Sequence, residues 1–367
     1  MAPGYTRPAM THVFVAPHPD DVALSCGGLI ASLRELGQNV TILTLYSGSG
    51  SADQLTPYQR EALGFGSKAV WPVSEAFNRA HLQADVPEDA AAAPWQATTE
   101  GLDATQGEAD AVAKRFWQRS SWYRRAKIHN ESLAGQPVID DLSTQGAVLT
   151  SERTDAAAAG DTMARRRLED ERFAAFAEVS VVWLDLLDAV FRGYEGDEQL
   201  LGAPRADDPA PVDLLRREIA RLEPSRVYLP LGIGGHVDHQ LARNAGMALL
   251  HDARAWVMPG PDYTGRIAFY EDFPYAWWED FGRLEDMPGD ALAGLPAGVS
   301  LTAEFADVGD VLERKVRGIL LYESQIERLF DDKAAAAAAV RAYAARVADI
   351  GSVTGGAAER YWVTTPA

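Results

Sequence analysis

Short apolar runs separated by helical patterns set the frame of this chain. Val13-Phe14-Val15-Ala16 is a continuous apolar run, ended by Pro17-His18-Pro19. Its length and its lack of alternation predict a parallel strand buried on both faces. Residues 24–36 then place Leu29, Ile30, Leu33 and Leu36 on one side of a helix, with Gly37 as its stop. Val40-Thr41-Ile42-Leu43-Thr44-Leu45 reads as a second strand. Strand, helix and strand within about 35 residues predict a right-handed βαβ unit.

The pattern weakens after Ser47 and stays weak to about residue 162, through a stretch rich in Ala, Asp and Glu over 84–112 and a more basic one holding Trp117, Trp122 and Tyr123. A structureless loop of that length is uncommon in a compact domain. Residues 51–162 are therefore expected to be an insertion, partly helical and a candidate lid, in an α/β domain formed by 1–50 and 163–367. Beyond it the spacing predicts helices over 163–178 and 211–222 and strands over 181–186 and 226–230. A glycine-rich loop, Gly232 to Gly235, leads into a helix reaching about Leu250. Strands are expected over 255–258 and 266–270, and late helices over 311–322 and 333–347. The expected fold is α/β: a Rossmann-like, doubly wound, mainly parallel sheet with a long insertion after the second strand.

Composition narrows the function classes. The formal net charge of −19 offers no clustered basic surface, so nucleic acid is not an expected partner. The Arg165-Arg166-Arg167 run meets Glu169, Asp170 and Glu171 at once and reads as a solvated helix face. The single cysteine, Cys26, excludes an intrachain disulfide and a cysteine-rich zinc finger, and suits a reducing compartment. No apolar run approaches a membrane span, and Met1 to Thr11 lacks the basic-then-apolar order of a secretory leader. A cytoplasmic location is expected, and the oligomeric state is left open.

The chemistry concentrates in two strings, Pro17-His18-Pro19-Asp20-Asp21 and His236-Val237-Asp238-His239, which hold three of the seven histidines. Each follows a predicted strand, and function in open α/β sheets gathers at the carboxyl ends of strands. Taken singly, the first string is ordinarily a polar turn and the second a helix cap. Two such strings at strand-to-helix junctions favour one shared site. An open catalytic zinc centre takes three protein ligands and keeps a place for water. His18, Asp21 and His239 supply that number. Asp20 is then the candidate general base, His236 is free to act as an imidazolium toward a developing oxyanion, and Asp238 can orient a histidine through its second ring nitrogen. Gly232-Ile233-Gly234-Gly235 lacks the Walker spacing, and Gly27-Gly28 is not a dinucleotide fingerprint. A two-metal phosphoesterase would need more ligands than are visible.

The two strings, with Ser25-Cys26-Gly27-Gly28 after the first and Gly235 before the second, resemble the paired motifs of the PIG-L/LmbE-like deacetylases. Arg166-Arg167-Leu168-Glu169-Asp170, Tyr270-Glu271-Asp272-Phe273-Pro274-Tyr275 and Tyr322-Glu323-Ser324-Gln325 resemble further segments of a bacterial subgroup. The resemblance implies one divalent metal, usually Zn2+, and hydrolysis of an N-acetyl group on an N-acetylglucosamine-type sugar or conjugate. It matches His18, Asp21 and His239 to the metal ligands, Asp20 to the base, His236 to the oxyanion-stabilising histidine and Asp238 to the residue behind it. It also suggests Asp188, Arg192, Tyr270, Glu271 and Tyr275 as substrate contacts. Many relatives have Glu where this chain has Val22. An amidase acting on larger sugar conjugates and a non-catalytic metal- or sugar-binding protein are the alternatives.

Overall fold

The computed structural model describes residues 9–50, 162–251, 266–279, 294–330 and 332–366. The expected insertion, apart from Thr162, and the expected strand over 255–258 lie outside the described residues.

Among the described residues one seven-stranded sheet forms the centre, in the order β3-β2-β1-β4-β5-β7-β6. The strands are β1 (Thr11–Ala16), β2 (Asn39–Thr44), β3 (Ser180–Trp183), β4 (Arg226–Pro230), β5 (Ile267–Tyr270), β6 (Val299–Asp307) and β7 (Ala358–Pro366). The pairs β1–β2, β2–β3, β1–β4 and β4–β5 are parallel. The expected mainly parallel α/β sheet is therefore what the chain builds. Sequence pattern did not reveal the β5–β7 and β6–β7 pairs, which are antiparallel. β6 alternates half-buried and exposed residues, as an edge strand with one wet face does.

Val13, Phe14 and Val15 are fully buried because both faces of β1 are covered. Val13 and Val15 pack with Leu43, Val227 and Leu229 on one side, whereas Phe14 meets Ile30, Ile42 and Tyr228 on the other. The helix after β1 is α1 (Asp21–Glu35), which starts three residues earlier than periodicity indicated because the polar Asp21 opens it. β3 stops at Trp183, short of the expected Leu186. The segment after it becomes a 3-10 turn, Ala189–Arg192, capped by Asp188, whose Oδ1 accepts from Val190 N at 3.1 Å. The other helices are α2 (Thr162–Ala177), α3 (Asp197–Leu200), α4 (Val212–Leu222), α5 (Val237–His251), α6 (Tyr275–Glu279), α7 (Leu312–Ile319), α8 (Glu323–Leu329) and α9 (Lys333–Gly351).

α1 is seated by the far end of the described chain. Glu359 on β7 is buried, and its two oxygens accept from the backbone N–H groups of Gly28 and Leu29 at 2.8 Å each. Lys315 Nζ and the Tyr361 hydroxyl donate to the same carboxylate at 2.7 Å. Gly28 permits this approach: a Cβ there would stand 2.7 Å from Val308 Cγ1 and 2.8 Å from Glu359 Oε1. Gly28→Ala is therefore expected to lower unfolding free energy by about 1–3 kcal/mol, the usual cost of overpacking. Urea denaturation would measure this, and an unchanged midpoint would count against the close packing.

Candidate metal centre

β1 lies between β2 and β4, and the chain runs outward from it in both directions, so the crevice beyond β1 and β4 is the topological switch point of the sheet. The first histidine–aspartate string leaves β1 there and the second leaves β4. The strand register brings Phe14 opposite Tyr228, which sets the two carboxyl ends side by side.

The first string is a tight, strained turn. His18 N donates to Asp21 Oδ2 at 2.7 Å, so the first acid of α1 fixes the backbone of the histidine three residues before it. Asp20 adopts φ 109°, a left-handed conformation that non-glycine residues avoid. Such strain survives only where surrounding contacts hold it, and it concentrates at functional sites. The contact here is Arg166, from α2. Its Nη2 donates to Asp20 Oδ1 at 2.8 Å and to Pro19 O at 3.1 Å. α2 is in turn tied to α8, because Glu169 Oε1 accepts from Ser324 N at 2.8 Å.

The second string spans the start of α5. Asp238 N donates to His236 Nδ1 at 3.2 Å, which leaves the proton of a neutral His236 on Nε2. The rings of His18, His236 and His239 gather with centroid separations of 5.0, 5.4 and 5.4 Å. One ring nitrogen from each of the three falls within 4.8 Å of the others.

Asp21 Oδ2 stands 3.2 Å from His18 Nδ1 and 3.4 Å from His239 Nε2. Donor atoms around a tetrahedral zinc ion, bonded at about 2.0–2.2 Å, sit about 3.3 Å apart. The remaining ring nitrogens face carboxylates: His18 Nε2 donates to Asp238 Oδ2 at 2.9 Å, and His239 Nδ1 to Asp272 Oδ1 at 2.7 Å. Metal-binding histidines are ordinarily oriented in this way. His239 Nε2 is buried and has no hydrogen-bond partner. An orphaned imidazole nitrogen beside a carboxylate oxygen fits a divalent cation. His18, Asp21 and His239 thus suit the ligand role, and His236 is near enough to approach the same point.

The electrostatics match. Burial opposes a charge on His18, yet Asp188, Asp21 and Asp238 outweigh it and push its pKa up to about 10. Burial likewise opposes a charge on His239, and Asp21 and Asp272 overcome it. Burial would raise Asp21, but His239 and His18 hold it well below the usual carboxylate range. A set of groups that attracts positive charge so strongly is suited to a cation. Asp20 goes the other way: burial, reinforced by the charge of Asp21, pushes it up to about 7 despite Arg166 and His18. His236 is driven well below the usual histidine range by burial and then by the charge on His18. That direction favours a neutral ring over the imidazolium expected from the sequence.

His18, Asp20, Asp21 and His236 line an open cavity, together with Arg166, Asp188, Tyr275, Gln325 and Arg328. Of the expected substrate contacts, Asp188 and Tyr275 are on this wall. Tyr275 packs against Gly234, where φ is 91° and a Cβ would lie 2.5 Å from the Tyr275 ring. The other three are engaged elsewhere. Tyr270 is buried with its hydroxyl donating to Val15 O at 2.8 Å. Glu271 is buried and accepts from Arg360 Nε at 2.7 Å and the Tyr343 hydroxyl at 2.6 Å. Arg192 holds Asp208 and Asp238.

Two contributors escaped sequence reasoning. Asp272 orients His239 and accepts from Gly232 N and Ile233 N at 2.7 and 2.9 Å. Arg166, read as a surface residue, is 5% exposed and holds Asp20.

Comparison with known proteins finds a family model, a relative and solved structures that this chain resembles. Residues 13–71 match the PIG-L family model, described as GlcNAc-PI de-N-acetylase. The 2'-N-acetylparomamine deacetylase of Streptomyces fradiae is 32% identical over 168 residues, 44% of this chain. The match spans about half of that relative, 54% of its length. Among solved structures, the pseudoaglycone deacetylase of the antimicrobial reagent A40926 superposes with a TM-score of 0.54 at 19% identity, over 98% of both chains. The zinc-inhibited form of a teicoplanin deacetylase gives 0.52 at 18% identity, over 97% of this chain and 98% of that one. These structures share the fold. The resemblance to the PIG-L/LmbE-like family, first carried by the two strings, is borne out by the family match and by the deacetylase relative. Among the described residues no helix is long and apolar enough to cross a membrane.

Proposed function

We propose that this protein is a metal-dependent amide hydrolase that removes an N-acetyl group from an N-acetylglucosamine-type sugar or conjugate. The observation that carries the reading is Asp21 Oδ2 set between two imidazoles, each held by a carboxylate on its far nitrogen, with Asp20 alongside. The Streptomyces fradiae relative is described as acting on an acetylated amino sugar, which supports the substrate class.

His18, Asp21 and His239 would hold one divalent ion, with zinc the expected metal. A bound divalent ion there supplies Lewis acidity toward the amide carbonyl and lowers the pKa of the attacking water.

Asp20 accepts the proton of that water as its oxygen bonds to the acyl carbon. A carboxylate brought to about 7 by burial is suited to the task, because a base near the working pH is efficient. Arg166 aims the carboxylate by holding Oδ1, which leaves Oδ2 to receive the proton. His236, neutral and with its proton on Nε2, donates a hydrogen bond to the developing oxyanion. As the carbon–nitrogen bond breaks, Asp20 returns its proton to the leaving amine, and acetate and the free amino sugar are the products. Asp188 and Tyr275, which line the cavity, would contact the sugar.

The test is acetate release from a panel of N-acetylglucosamine derivatives, with and without a chelator. Release that the chelator abolishes and zinc restores is expected. Metal binding without release across the panel would favour a metal- or sugar-binding protein. His236→Ala should lower kcat by about 10²–10³-fold, as loss of one oxyanion donor does, while metal content stays at the wild-type level. Full turnover by that variant would remove His236 from the mechanism.

A further inference from the structure

Arg192 was expected at the substrate, but it lies behind the site. Its Nη2 donates to Asp238 Oδ1 at 2.6 Å, and its Nε and Nη2 reach Asp208 Oδ2 at 3.0 and 2.9 Å. Its Nη1 donates to Leu187 O. The guanidinium lies over the Tyr46 ring, 4.7 Å from the centroid. The same oxygen of Asp208 accepts from the Tyr194 hydroxyl at 3.0 Å. Arg192 is not among the residues that line the cavity.

Asp238 is fully buried and has two filled oxygens. Oδ2 accepts from His18 Nε2 at 2.9 Å and from Ala189 N at 3.1 Å, and Oδ1 accepts from Arg192. With both oxygens engaged, the plane of the carboxylate is fixed. That plane sets the ring of His18 and so the direction of His18 Nδ1, the nitrogen facing Asp21.

We infer that Arg192 is a positioning residue: braced by Asp208, it clamps Asp238 and thereby orients His18 toward the divalent ion. The inference rests on the metal-dependent reading above. Planarity makes arginine suited to bridging two carboxylates, whereas a lysine ammonium can supply the charge at only one point.

The experiment measures zinc affinity by competition with a chromophoric chelator, and kcat and KM separately, on the full chain. Arg192→Ala should lose about 10–100-fold in zinc affinity, as is usual when a partner of a ligating histidine is disturbed. At saturating zinc its kcat should fall while KM is held, because Arg192 does not touch the sugar. Arg192→Lys should recover part of both losses. A rise in KM at constant kcat would return Arg192 to substrate binding, and unchanged zinc affinity would overturn the clamp. If Arg192→Ala does not fold, Asp208→Asn decides. A smaller loss of zinc affinity is then expected, and none would overturn the inference. Should the wild-type protein bind zinc yet release no acetate, the proposed reaction fails, and zinc affinity alone judges the clamp.

Discussion

Asp20→Asn should lower kcat by about 10²–10⁴-fold, the range ordinarily carried by a positioned general acid or base. The substitution isolates chemistry from shape. Asparagine keeps the size of the side chain and an oxygen that can accept from Arg166 Nη2, now 2.8 Å from Asp20 Oδ1. It also tolerates the left-handed backbone, since Asn is enriched at positive φ. The variant should therefore fold, keep its metal and bind sugar, but have no group that can take a proton from water. Initial rates of amine release, set beside metal content from plasma mass spectrometry, measure both halves. Wild-type turnover with asparagine in place would assign the base elsewhere.

His239→Ala is the second large effect. It removes a nitrogen that is buried, without a hydrogen-bond partner and 3.4 Å from Asp21 Oδ2. An ion left with two protein ligands should be lost on gel filtration, and activity should fall to background. Asp272→Asn is the graded companion. It keeps an acceptor for the Gly232 and Ile233 N–H groups but removes the charge that faces His239 Nδ1. Its expected cost is about 10–100-fold in metal affinity. Zinc titration against a competing chelator separates the two variants. Wild-type zinc affinity in His239→Ala would take this histidine out of the ligand set.

The legible parts of this site were those written in contiguous residues. Pro17 to Asp21 and His236 to His239 each follow a strand whose apolar run is unmistakable, and local turn and helix geometry delivers their side chains to the same crevice. Asp272 was hidden because its role depends on strand adjacency. β4 and β5 lie side by side with Pro230 opposite Tyr270, so the residues just beyond both strands meet, which puts Asp272 under the Gly232 loop. Nothing local marks it above its neighbours Tyr270 and Glu271, equally buried but bonded to Val15 O and to Arg360 and Tyr343 instead. Arg166 was hidden for a different reason. A run of three arginines followed by acids looks solvated, and only the packing of α2 beneath the turn shows that the middle one is buried. The antiparallel β6 and β7 were missed because their alternation is weaker than the apolar runs of the parallel strands.

The bond between Glu359 and the amides of α1 has a consequence for the order in which the molecule is made. Asp21 opens α1, and that helix is anchored by a strand translated more than three hundred residues later. His18 and Asp21 thus leave the ribosome long before the strand that anchors their helix. Contacts so distant in sequence form slowly, because the entropy of closing the long loop is lost before the contact repays it. A nascent chain carrying the first string alone should be a poor trap for metal. Metal loading is then expected to wait until the strand that anchors α1 has joined the sheet.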